Sequence, residues 1–464
     1  MIPVARRHRG AQAAAGPLLY VRRTANVALG EWVEIESAGV TRRGQVIDAG
    51  RDVTVIQVLE DTVGLAPASA VVTLTGDVAS VVVGRELLGR AFNGMGAPRD
   101  GLPAPVGDAV RPIWGAPLNP ARRARPADFI ETGISAIDGM NTLVRGQKLP
   151  VFSGPGLPAL ELAAQIVEGA RAPGGERFAV VFVGVGITAR ETAAFLERFD
   201  QSGARERSVL YLNETRDPTI ERLLAPRVAL AEAEYLAFDA GMHVLVVIAD
   251  LTHYCEALRE IATAREEIPG RRGYPGYMYT DLASIYERAG IVQGRPGSLT
   301  QIPILTMPDD DITHPIPDLT GYITEGQVVL SRELHRAGVF PPIDVLPSLS
   351  RLMNAGIGAE RTVAEHREWS DQLYAVYTRG RDARQMAAIV GEVGLAAGDR
   401  RALEFADRFE REFVRQGGER RALAQTIAIG WRLLEALPRE DLLRISDATW
   451  TAHASGGNGK GPAA

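Results

Sequence analysis

The segment Val151–Leu160 joins a short apolar run to a helix-like pattern through a turn rich in glycine and proline. Strand, glycine-rich turn and helix in this order form the frame of a phosphate-binding loop, whose template is G-x-x-x-x-G-K-[ST]. On that template Ser153 takes the first glycine position, Pro158 the second, Ala159 the lysine and Leu160 the hydroxyl. Without the lysine and the hydroxyl, a loop can neither neutralise the β- and γ-phosphates nor bind Mg²⁺ in the usual way. The sequence therefore predicts a nucleotide-binding fold whose own hydrolytic groups are missing.

A second strand-like run supports this fold. Gly154 and Gly156 alone are weak evidence, because Gly-Pro-Gly is also an ordinary turn. Further along the chain, Val244–Asp250 matches the apolar strand ending in Asp that holds water near Mg²⁺ in P-loop NTPases. Together the two segments indicate a RecA-like core. Because Leu160 offers no hydroxyl, we expect Asp250 to keep a structural or residual role.

Composition limits the other function classes. The 464 residues are too many for one compact core, so two or three domains are expected. Fifty-one basic and 57 acidic residues give a net charge of −6, which argues against nucleic acid as the main ligand. The single cysteine, Cys255, excludes an internal disulfide and suits a reducing compartment. No apolar run reaches the ~18–20 residues of a membrane span, so we expect a cytoplasmic protein that reaches a membrane only through partners.

The domain order follows from changes in periodicity. Short segments punctuated by glycine predict an N-terminal β-barrel, and alternating strands and helices then predict a parallel α/β sheet. From Thr362 onward the β signal ends, which predicts a C-terminal α-helical bundle. The expected boundaries are a disordered arm at 1–17, the β-barrel at 18–78, the RecA-like domain at 79–355, the helical domain at 356–452 and a flexible tail at 453–464.

Two apolar stripes in the helical domain predict buried helix faces. One is Phe405, Phe409 and Phe413, at intervals of one helical turn, and the other combines Met386 with Ile389 and Val390. Such stripes usually form core, so no cofactor site is assigned to them.

The acidic run Asp309–Asp311 has two interpretations. It could bind a metal, but consecutive residues cannot all face one ion and no second cluster has ligand spacing. A loop at the end of a strand is therefore favoured, and no metal site is expected. The seven histidines form no HExxH pattern, and no nucleophile–base arrangement can be supported from sequence order.

Five longer segments resemble the B subunit of V-type and A-type rotary ATPases, and the similarity runs from about Tyr20 to at least Trp450. The segments are Arg145–Gly154, Asp250–Ile261, Gly270–Leu282, Pro308–Gln327 and Pro341–Asn354. B subunits of this family also carry a degenerate loop at this position. The resemblance thus agrees with what the residues of the loop predict.

The resemblance implies that the protein is one subunit of a larger complex. B subunits alternate with catalytic A subunits in a hexameric ring around a rotating stalk, and each gives an arginine to the nucleotide held by A. The matching residue is Arg351; Ser350 and Asn354 flank it, and Tyr322 is a further candidate interface contact, with core packing as its rival. ATP or ADP with Mg²⁺ would be bound mainly by the A subunit. The other implied partners are the central rotor stalk and the peripheral stalk, while the ion-translocating membrane sector would be reached only indirectly.

Three alternatives predict different properties. The α subunit of an F-type ATP synthase normally keeps a complete loop, which Pro158, Ala159 and Leu160 contradict. A hexameric export or transcription-termination ATPase would need the missing lysine and hydroxyl. A pure scaffold subunit would contribute no arginine to a nucleotide. Whether protons or sodium ions are moved, and whether ATP is made or hydrolysed, is left open by the residues.

Overall fold

The computed structural model describes residues 6–23 and 27–456, with side chains up to residue 454. The strands are β1 (Arg6–Arg9), β2 (Ala13–Ala15), β3 (Leu18–Arg22), β4 (Glu31–Ser37), β5 (Val40–Ala49), β6 (Val53–Val58), β7 (Val71–Val78), β8 (Ser80–Val83), β9 (Ala91–Phe92), β10 (Ala109–Pro112), β11 (Val151–Ser153), β12 (Phe178–Ile187), β13 (Ser208–Glu214), β14 (His243–Ala249), β15 (Gly290–Ile291), β16 (Ser298–Thr306), β17 (Gly326–Leu330) and β18 (Ile343–Ser350). The helices are α1 (Ser135–Asp138), α2 (Ala159–Gly169), α3 (Ala189–Gln201), α4 (Thr219–Glu234), α5 (Leu251–Ala264), α6 (Met278–Tyr286), α7 (Pro315–Ile323), α8 (Arg332–Arg336), α9 (Met353–Gly356), α10 (His366–Val390), α11 (Ala397–Arg408), α12 (Leu423–Glu435) and α13 (Asp447–Gly456).

The chain forms two compact units, each of which combines separate stretches of sequence. Unit 1 contains the described part of Met1–Arg122, with Ala179–Arg288 and Gly294–Gly297. Unit 2 contains Arg123–Phe178, Ala289–Gln293 and the described part of Ser298–Ala464. The two units are described separately below.

Unit 1 begins with a seven-stranded antiparallel sheet in the order β1-β7-β4-β5-β6-β3-β2. Side chains alternate along β4, where Val33 and Ile35 are buried and Glu34 is exposed. Alternation of this kind places one face of a sheet on an apolar core. Leu19, Val46 and their neighbours complete that core. The predicted N-terminal β domain is confirmed.

The predicted disordered arm at 1–17 is wrong for residues 6–17. Strand β1 pairs antiparallel with β7, from Arg6 opposite Leu74 to Arg9 opposite Val71. Arg6 also forms an ion pair with Glu31 at 3.1 Å. The basic residues near the start therefore pair with acidic groups of the sheet, a partnership that local sequence does not reveal. Residues 1–5 of the predicted arm lie outside the described residues.

The rest of unit 1 is an α/β layer in which β14, β12, β13 and β9 are neighbours in that order. β13 runs parallel to β12 and to β9. Strands β12 to β14 are buried almost throughout, as expected for parallel strands covered on both faces. These strands cover the apolar runs at 178–185, 209–212 and 244–249, so the predicted α/β domain is confirmed. Cys255 is buried in α5, as expected for a small apolar helix residue.

Unit 2 contains the strands β18, β17, β11 and β16, again in neighbouring order. β11 is parallel to β16 on one side and to β17 on the other. β17 and β18 form an antiparallel pair with Gly326 opposite Ser350. The carboxyl ends of β11 and β16 consequently lie at one edge of the sheet.

The C-terminal part of unit 2 is helical, as predicted, but only one of the two apolar stripes is buried. The rings of Phe405, Phe409 and Phe413 are buried and stack in sequence. Met386, Ile389 and Val390, by contrast, are 50%, 85% and 55% exposed, so the prediction of a core stripe there is wrong. The fully buried face of α10 ends at Ala383, and beyond it Ala387 is only partly buried, against the small cluster of Ala383, Leu395 and Leu403. We call Met386, Ile389, Val390 and the 93% exposed Val393 the apolar end of α10.

The predicted flexible tail at 453–464 is wrong in its first residues, because α13 continues to Gly456. His453 stacks on Trp431 with 3.9 Å between ring centroids, and its Nε2 lies 2.8 Å from Glu435 Oε1. These contacts tie the end of the helix to α12. Residues 457–464 lie outside the described residues. Within the described ranges, no helix has both the length and the apolar content needed to cross a membrane.

Glu232 is an acidic side chain buried in α4 of unit 1. Its Oε2 accepts a hydrogen bond from the Gly84 backbone at 3.0 Å, whereas Oε1 has no hydrogen-bond partner among the described residues. Burial raises the pKa of Glu232 from 4.5 to about 8, and the charge of Asp108 adds to the effect. The folded protein therefore keeps a proton that the unfolded chain loses.

We predict that the stability of the protein falls as pH rises from about 5 to about 8, and that Glu232→Gln removes much of this fall. The pKa of Glu232 is about 8 in the folded protein and 4.5 in the unfolded chain. The stability that depends on its proton is therefore fully present below pH 4.5 and is lost as the pH rises to about 8. One pKa unit corresponds to about 1.4 kcal/mol. Part of the slope should remain, because burial also raises the pKa of Asp138 to about 7 and of Glu221 to about 6.

The measurement is chemical denaturation of both proteins at the two pH values. The exposed Glu206→Gln serves as the control and should keep the wild-type slope. A slope in Glu232→Gln equal to that of the wild type would contradict the assignment.

Candidate functional site

The degenerate loop lies at the carboxyl end of β11, in unit 2. β11 is flanked by parallel strands, and α2 begins at Ala159 directly after the loop. This is the edge at which open α/β sheets bind ligands. Ala159, at the lysine position, is buried, and Leu160, at the hydroxyl position, is half-buried. Neither side chain offers a charge or a metal ligand to the loop.

The loop is closed by its own backbone. Leu157 N–H donates to the Gly154 carbonyl at 3.1 Å, and Gly156 has a φ of 77°, which suits glycine. The buried Ser153 hydroxyl donates to the Gly154 carbonyl at 3.2 Å. Pro158, at the second glycine position, has no N–H to offer. The polar groups of the loop are therefore partly used within the loop.

An intrachain carboxylate occupies the space over Gly154. Arg332 binds Asp310 through two parallel contacts of 2.9 Å, and its Nη2 also donates to the Pro155 carbonyl at 2.9 Å. A Cβ added to Gly154 would overlap Asp310 Oδ1 and lie 2.9 Å from Arg332 Nη2. The hydrogen bonds from Arg332 lower the pKa of Asp310 and so keep it ionised. A negative charge thus already lies where a phosphate would approach the loop.

The acidic run at Asp309–Asp311 is a tight turn after β16, which confirms the predicted strand-end loop. Sequence reasoning missed that Asp310 belongs to the degenerate loop. Its partner Arg332 is the first residue of α8, and no local pattern joins the two.

Arg351 follows directly after β18. Its backbone N–H donates to the Glu325 carbonyl at 3.0 Å, and the exposed side chain makes one long contact, from Nη1 to the Thr324 carbonyl at 3.5 Å. Within the described part of the chain, no carboxylate lies at ion-pair distance from its guanidinium. The backbone of Arg351 is fixed while its charge remains available.

Ser350, the residue before Arg351, is fixed by hydrogen bonds to the interior of unit 2. Its hydroxyl donates to the Thr142 carbonyl at 2.9 Å and lies 2.9 Å from Gln147 Nε2. Gln147 Nε2 also donates to the Glu325 carbonyl at 3.0 Å, and the buried Lys148 forms an ion pair with Glu325 at 2.9 Å. Ser350 therefore faces inward and holds the strand end.

Asn354 and Tyr322 are on the surface. Asn354, in α9, accepts a hydrogen bond from Arg367 Nη1. Tyr322, near the end of α7, is 75% exposed, so the rival interpretation of Tyr322 as a core residue is wrong.

Arg361 is a second arginine on the segment that starts at Arg351, and sequence reasoning missed it. Its Nε is buried without a hydrogen-bond partner among the described residues. The Asp128 carboxylate lies 3.8 Å away, beyond hydrogen-bond distance. A buried donor without a hydrogen bond costs free energy, and among the described residues the long ion pair with Asp128 is the one charged contact of this Nε. Only the folded structure reveals this, because nothing distinguishes Arg361 in the sequence.

Asp250 belongs to unit 1. It follows β14 and caps α5, with its carboxylate accepting from the Thr252 N–H at 2.7 Å. An N-cap satisfies an otherwise unpaired backbone donor. Asp250 thus has a helix-capping contact of the structural kind that the sequence predicts.

Three family models match the chain and together cover most of it. They are the β-barrel domain of the ATP synthase alpha/beta family at residues 12–76, the nucleotide-binding domain of that family at 133–350, and the C-terminal domain of V and A type ATP synthase at 355–454. The third match favours the V and A type over an F-type α subunit.

Curated relatives match over nearly their whole length. The V-type ATP synthase beta chain of Anaeromyxobacter sp. (strain Fw109-5) is 62% identical over 98% of this chain and 99% of its own. The V-type ATP synthase beta chain of Thermus thermophilus is 58% identical over 93% of this chain and 92% of its own. Among solved structures, the ATP synthase subunit NeqB from Nanoarcheaum equitans matches with a TM-score of 0.73 and 39% identity, covering 91% of this chain and all of the other.

We predict that Gly154→Ala displaces the exposed Asp310 carboxylate and destabilises the protein by about 1 kcal/mol or less, the usual worth of an exposed ion pair. The methyl group would overlap Asp310 Oδ1, so Asp310→Ala in the same chain should recover part of the loss. Thermal unfolding of the two single variants and the double variant measures this coupling.

Gly321→Ala is the control, because an added Cβ in α7 meets nothing within 4 Å. It should be neutral or slightly stabilising. Equal effects of Gly154→Ala with and without Asp310 would show that the carboxylate does not fill this space.

Proposed function

The chain belongs to the ATP synthase alpha/beta family, on the branch of the V-type ATP synthase beta chains, and we propose that it is the non-catalytic subunit of an alternating nucleotide-binding hexamer. As an ATP synthase subunit it works within a multi-subunit complex. The proposed neighbour on each side is a catalytic A subunit. That subunit supplies the complete P-loop, the Mg²⁺ ligand and the carboxylate that orients the attacking water.

The observation that carries this proposal is the state of the loop after β11. Ala159 and Leu160 replace the lysine and the hydroxyl, and the Asp310 carboxylate lies over Gly154. A phosphate entering here would meet a carboxylate that is already paired with Arg332, rather than a free lysine. ATP or ADP with Mg²⁺ is therefore bound mainly by the A subunit, and this chain contributes from across the interface.

The proposed contribution is an arginine, assigned to Arg351. A guanidinium at the γ-phosphate stabilises charge that spreads over the transferring group, and an arginine supplied in trans is worth roughly 10³–10⁵ in rate. Its donor fork matches phosphate oxygens better than a lysine does. The exposed, unpaired side chain and the fixed backbone of Arg351 support this role. Arg361 is the competing arginine, because it lies on the same segment and its Nε makes no hydrogen bond among the described residues and only a 3.8 Å ion pair with Asp128.

The neighbouring residues take different roles in this proposal. Ser350 holds the strand end from inside, while Asn354 and the exposed Tyr322 contact the partner near its nucleotide. The domain limits proposed from the sequence remain 18–78, 79–355 and 356–452, and the family models match 12–76, 133–350 and 355–454.

The other proposed partners are the central rotor stalk, the peripheral stalk and, only indirectly, the ion-translocating membrane sector. The apolar end of α10 supports a stalk contact, since exposed apolar side chains in a cluster commonly mark interaction sites. We propose that the protein is cytoplasmic and is held at a membrane through this complex, with no role for nucleic acid.

We predict that Arg351→Ala lowers ATP turnover of the reconstituted complex by roughly 10³-fold or more, while the complex still assembles. Arg351→Lys should recover little activity, because the ammonium cannot reproduce a two-pronged contact. Assembly is measured by size-exclusion chromatography and turnover by phosphate release, each beside Arg361→Ala. The exposed Arg411→Ala, in the helical part, is the matched control.

Each outcome of this series decides between named possibilities. A large loss of ATP turnover in Arg361→Ala with a small loss in Arg351→Ala would identify Arg361, rather than Arg351, as the donated arginine. Near-normal turnover in both variants, in assembled complexes, would leave the chain as a pure scaffold.

We also predict that Ile389→Asp with Val393→Asp weakens binding of the central stalk to the assembled hexamer. Both side chains are exposed, so the isolated chain should unfold at an unchanged temperature, whereas a charge in an apolar contact is costly. Binding is measured by biolayer interferometry with immobilised stalk subunits. The control is the exposed Leu443→Asp, outside α10, and equal binding of both proteins would exclude the apolar end of α10 from the stalk contact.

A further inference from the structure

The segment from Arg351 to Arg361 ends in a turn that is closed by a side chain. The Gly358 N–H donates to Thr362 Oγ1 at 3.0 Å. In the opposite direction, the N–H groups of Arg361 and Thr362 donate to the Gly358 carbonyl at 2.9 and 2.8 Å. Gly358 has a φ of 117°, a conformation that favours glycine. The backbone of Arg361 is thus held inside a turn with three hydrogen bonds, one of which uses the Thr362 hydroxyl and satisfies the Gly358 N–H.

The Thr362 hydroxyl in turn meets His366, which is fully buried at the start of α10. His366 Nδ1 lies 3.1 Å from Thr362 Oγ1, and its Nε2 lies 3.0 Å from the Gly139 carbonyl. The ring packs edge-on against Trp369, with 5.5 Å between centroids. Both ring nitrogens are therefore engaged, and the ring is packed against Trp369.

These contacts fit one direction of hydrogen bonding. A carbonyl oxygen only accepts, so His366 Nε2 carries the hydrogen and Nδ1 of the neutral ring accepts. The Thr362 hydroxyl then donates to Nδ1 and accepts from the Gly358 N–H. Burial lowers the pKa of His366, which favours the neutral ring that this arrangement needs. We call the chain Gly358–Thr362–His366–Gly139 the threonine–histidine relay.

The relay joins the surface segment to the interior of unit 2. Gly139 follows α1 and lies against Trp369 and Phe413, whose side chains are buried. The Arg351 end of the segment is anchored separately, through Ser350 and Gln147. The segment is therefore held at both ends by buried hydrogen bonds, with one arginine beside each anchor.

We propose that Thr362 and His366 are positioning residues that fix the direction in which this arginine-bearing segment meets the nucleotide of the partner subunit. The inference rests on the proposed function, in which an arginine of this chain acts in trans. A displacement of about 1 Å at a catalytic contact can cost about 10²-fold in rate. Loss of the Thr362 hydroxyl leaves the Gly358 N–H and His366 Nδ1 without this partner and so loosens the turn, without removing any arginine.

The first test compares Thr362→Val with Thr362→Ser in the full complex. Valine keeps the shape and removes the hydroxyl, whereas serine keeps the hydroxyl. We expect Thr362→Val to assemble with unchanged KM for ATP and at least about tenfold lower kcat, and Thr362→Ser to stay near the wild type. In a chain that already lacks the active arginine, Thr362→Val should cause no further loss.

The second test uses the isolated full-length chain and depends on no partner. The ring nitrogens of its seven histidines are labelled with ¹⁵N, and His366→Gln assigns the His366 signals. We expect a neutral ring with hydrogen on Nε2 and an Nδ1 signal that shifts in Thr362→Val. A ring protonated at Nδ1 would overturn the relay.

The two tests separate failure of this inference from failure of the proposed function. If the arginine variants lose turnover and Thr362→Val does not, the positioning role is wrong and the proposed function stands. If Thr362→Val loses activity only in proportion to a loss of assembly or thermal stability, the relay is merely structural and the positioning role is wrong. If no arginine variant changes turnover, the proposed function fails and the positioning role fails with it, whatever the ¹⁵N spectra show.

Discussion

The parallel pairing of β11 on both sides is the constraint on which most of the site depends. β16 and β17 flank this short strand, so the loop after β11 and the turn after β16 emerge at the same edge of the sheet. That arrangement brings Asp310 to Gly154. The residues just before β11 bind the start of β17, where Lys148 pairs with Glu325. Since β17 pairs with β18, the same contacts fix the point at which Arg351 leaves the sheet.

The replacement of the usual loop residues has left a different, self-contained electrostatic arrangement. In a complete P-loop the lysine binds the nucleotide phosphates. Here Arg332 instead binds the Asp310 carboxylate and the Pro155 carbonyl. The pair is partly exposed, so it contributes little to global stability. Its effect is local, because the Asp310 carboxylate neutralises Arg332 and lies against the backbone of Gly154. The loop has therefore lost the lysine charge that a nucleotide phosphate needs, and a carboxylate lies against its first glycine.

Features encoded by local periodicity could be predicted from the sequence, and features that depend on distant partners could not. The β domain, the strand–loop–helix order around Val151–Leu160 and the buried Phe405 stripe follow from patterns within one element. The pairing of β1 with β7 depends on a strand far along the chain, and the exposure of Ile389 depends on which residues of other elements pack against α10. The unpartnered Nε of Arg361 likewise depends on tertiary packing and carries no sequence signal.

An arginine that acts on the nucleotide of a neighbouring subunit needs a mobile side chain on a fixed backbone. Side-chain freedom lets the guanidinium meet its partner, but freedom of the backbone would have to be lost at each encounter and would weaken the contact. Arg351 meets this requirement through the hydrogen bond of its N–H to Glu325, whereas Arg361 has a backbone fixed in the Gly358–Thr362 turn and a side chain whose Nε is buried. Both anchors end in buried groups of unit 2 rather than in surface contacts. A change in that interior would therefore be transmitted to the arginines without any change in the arginines themselves.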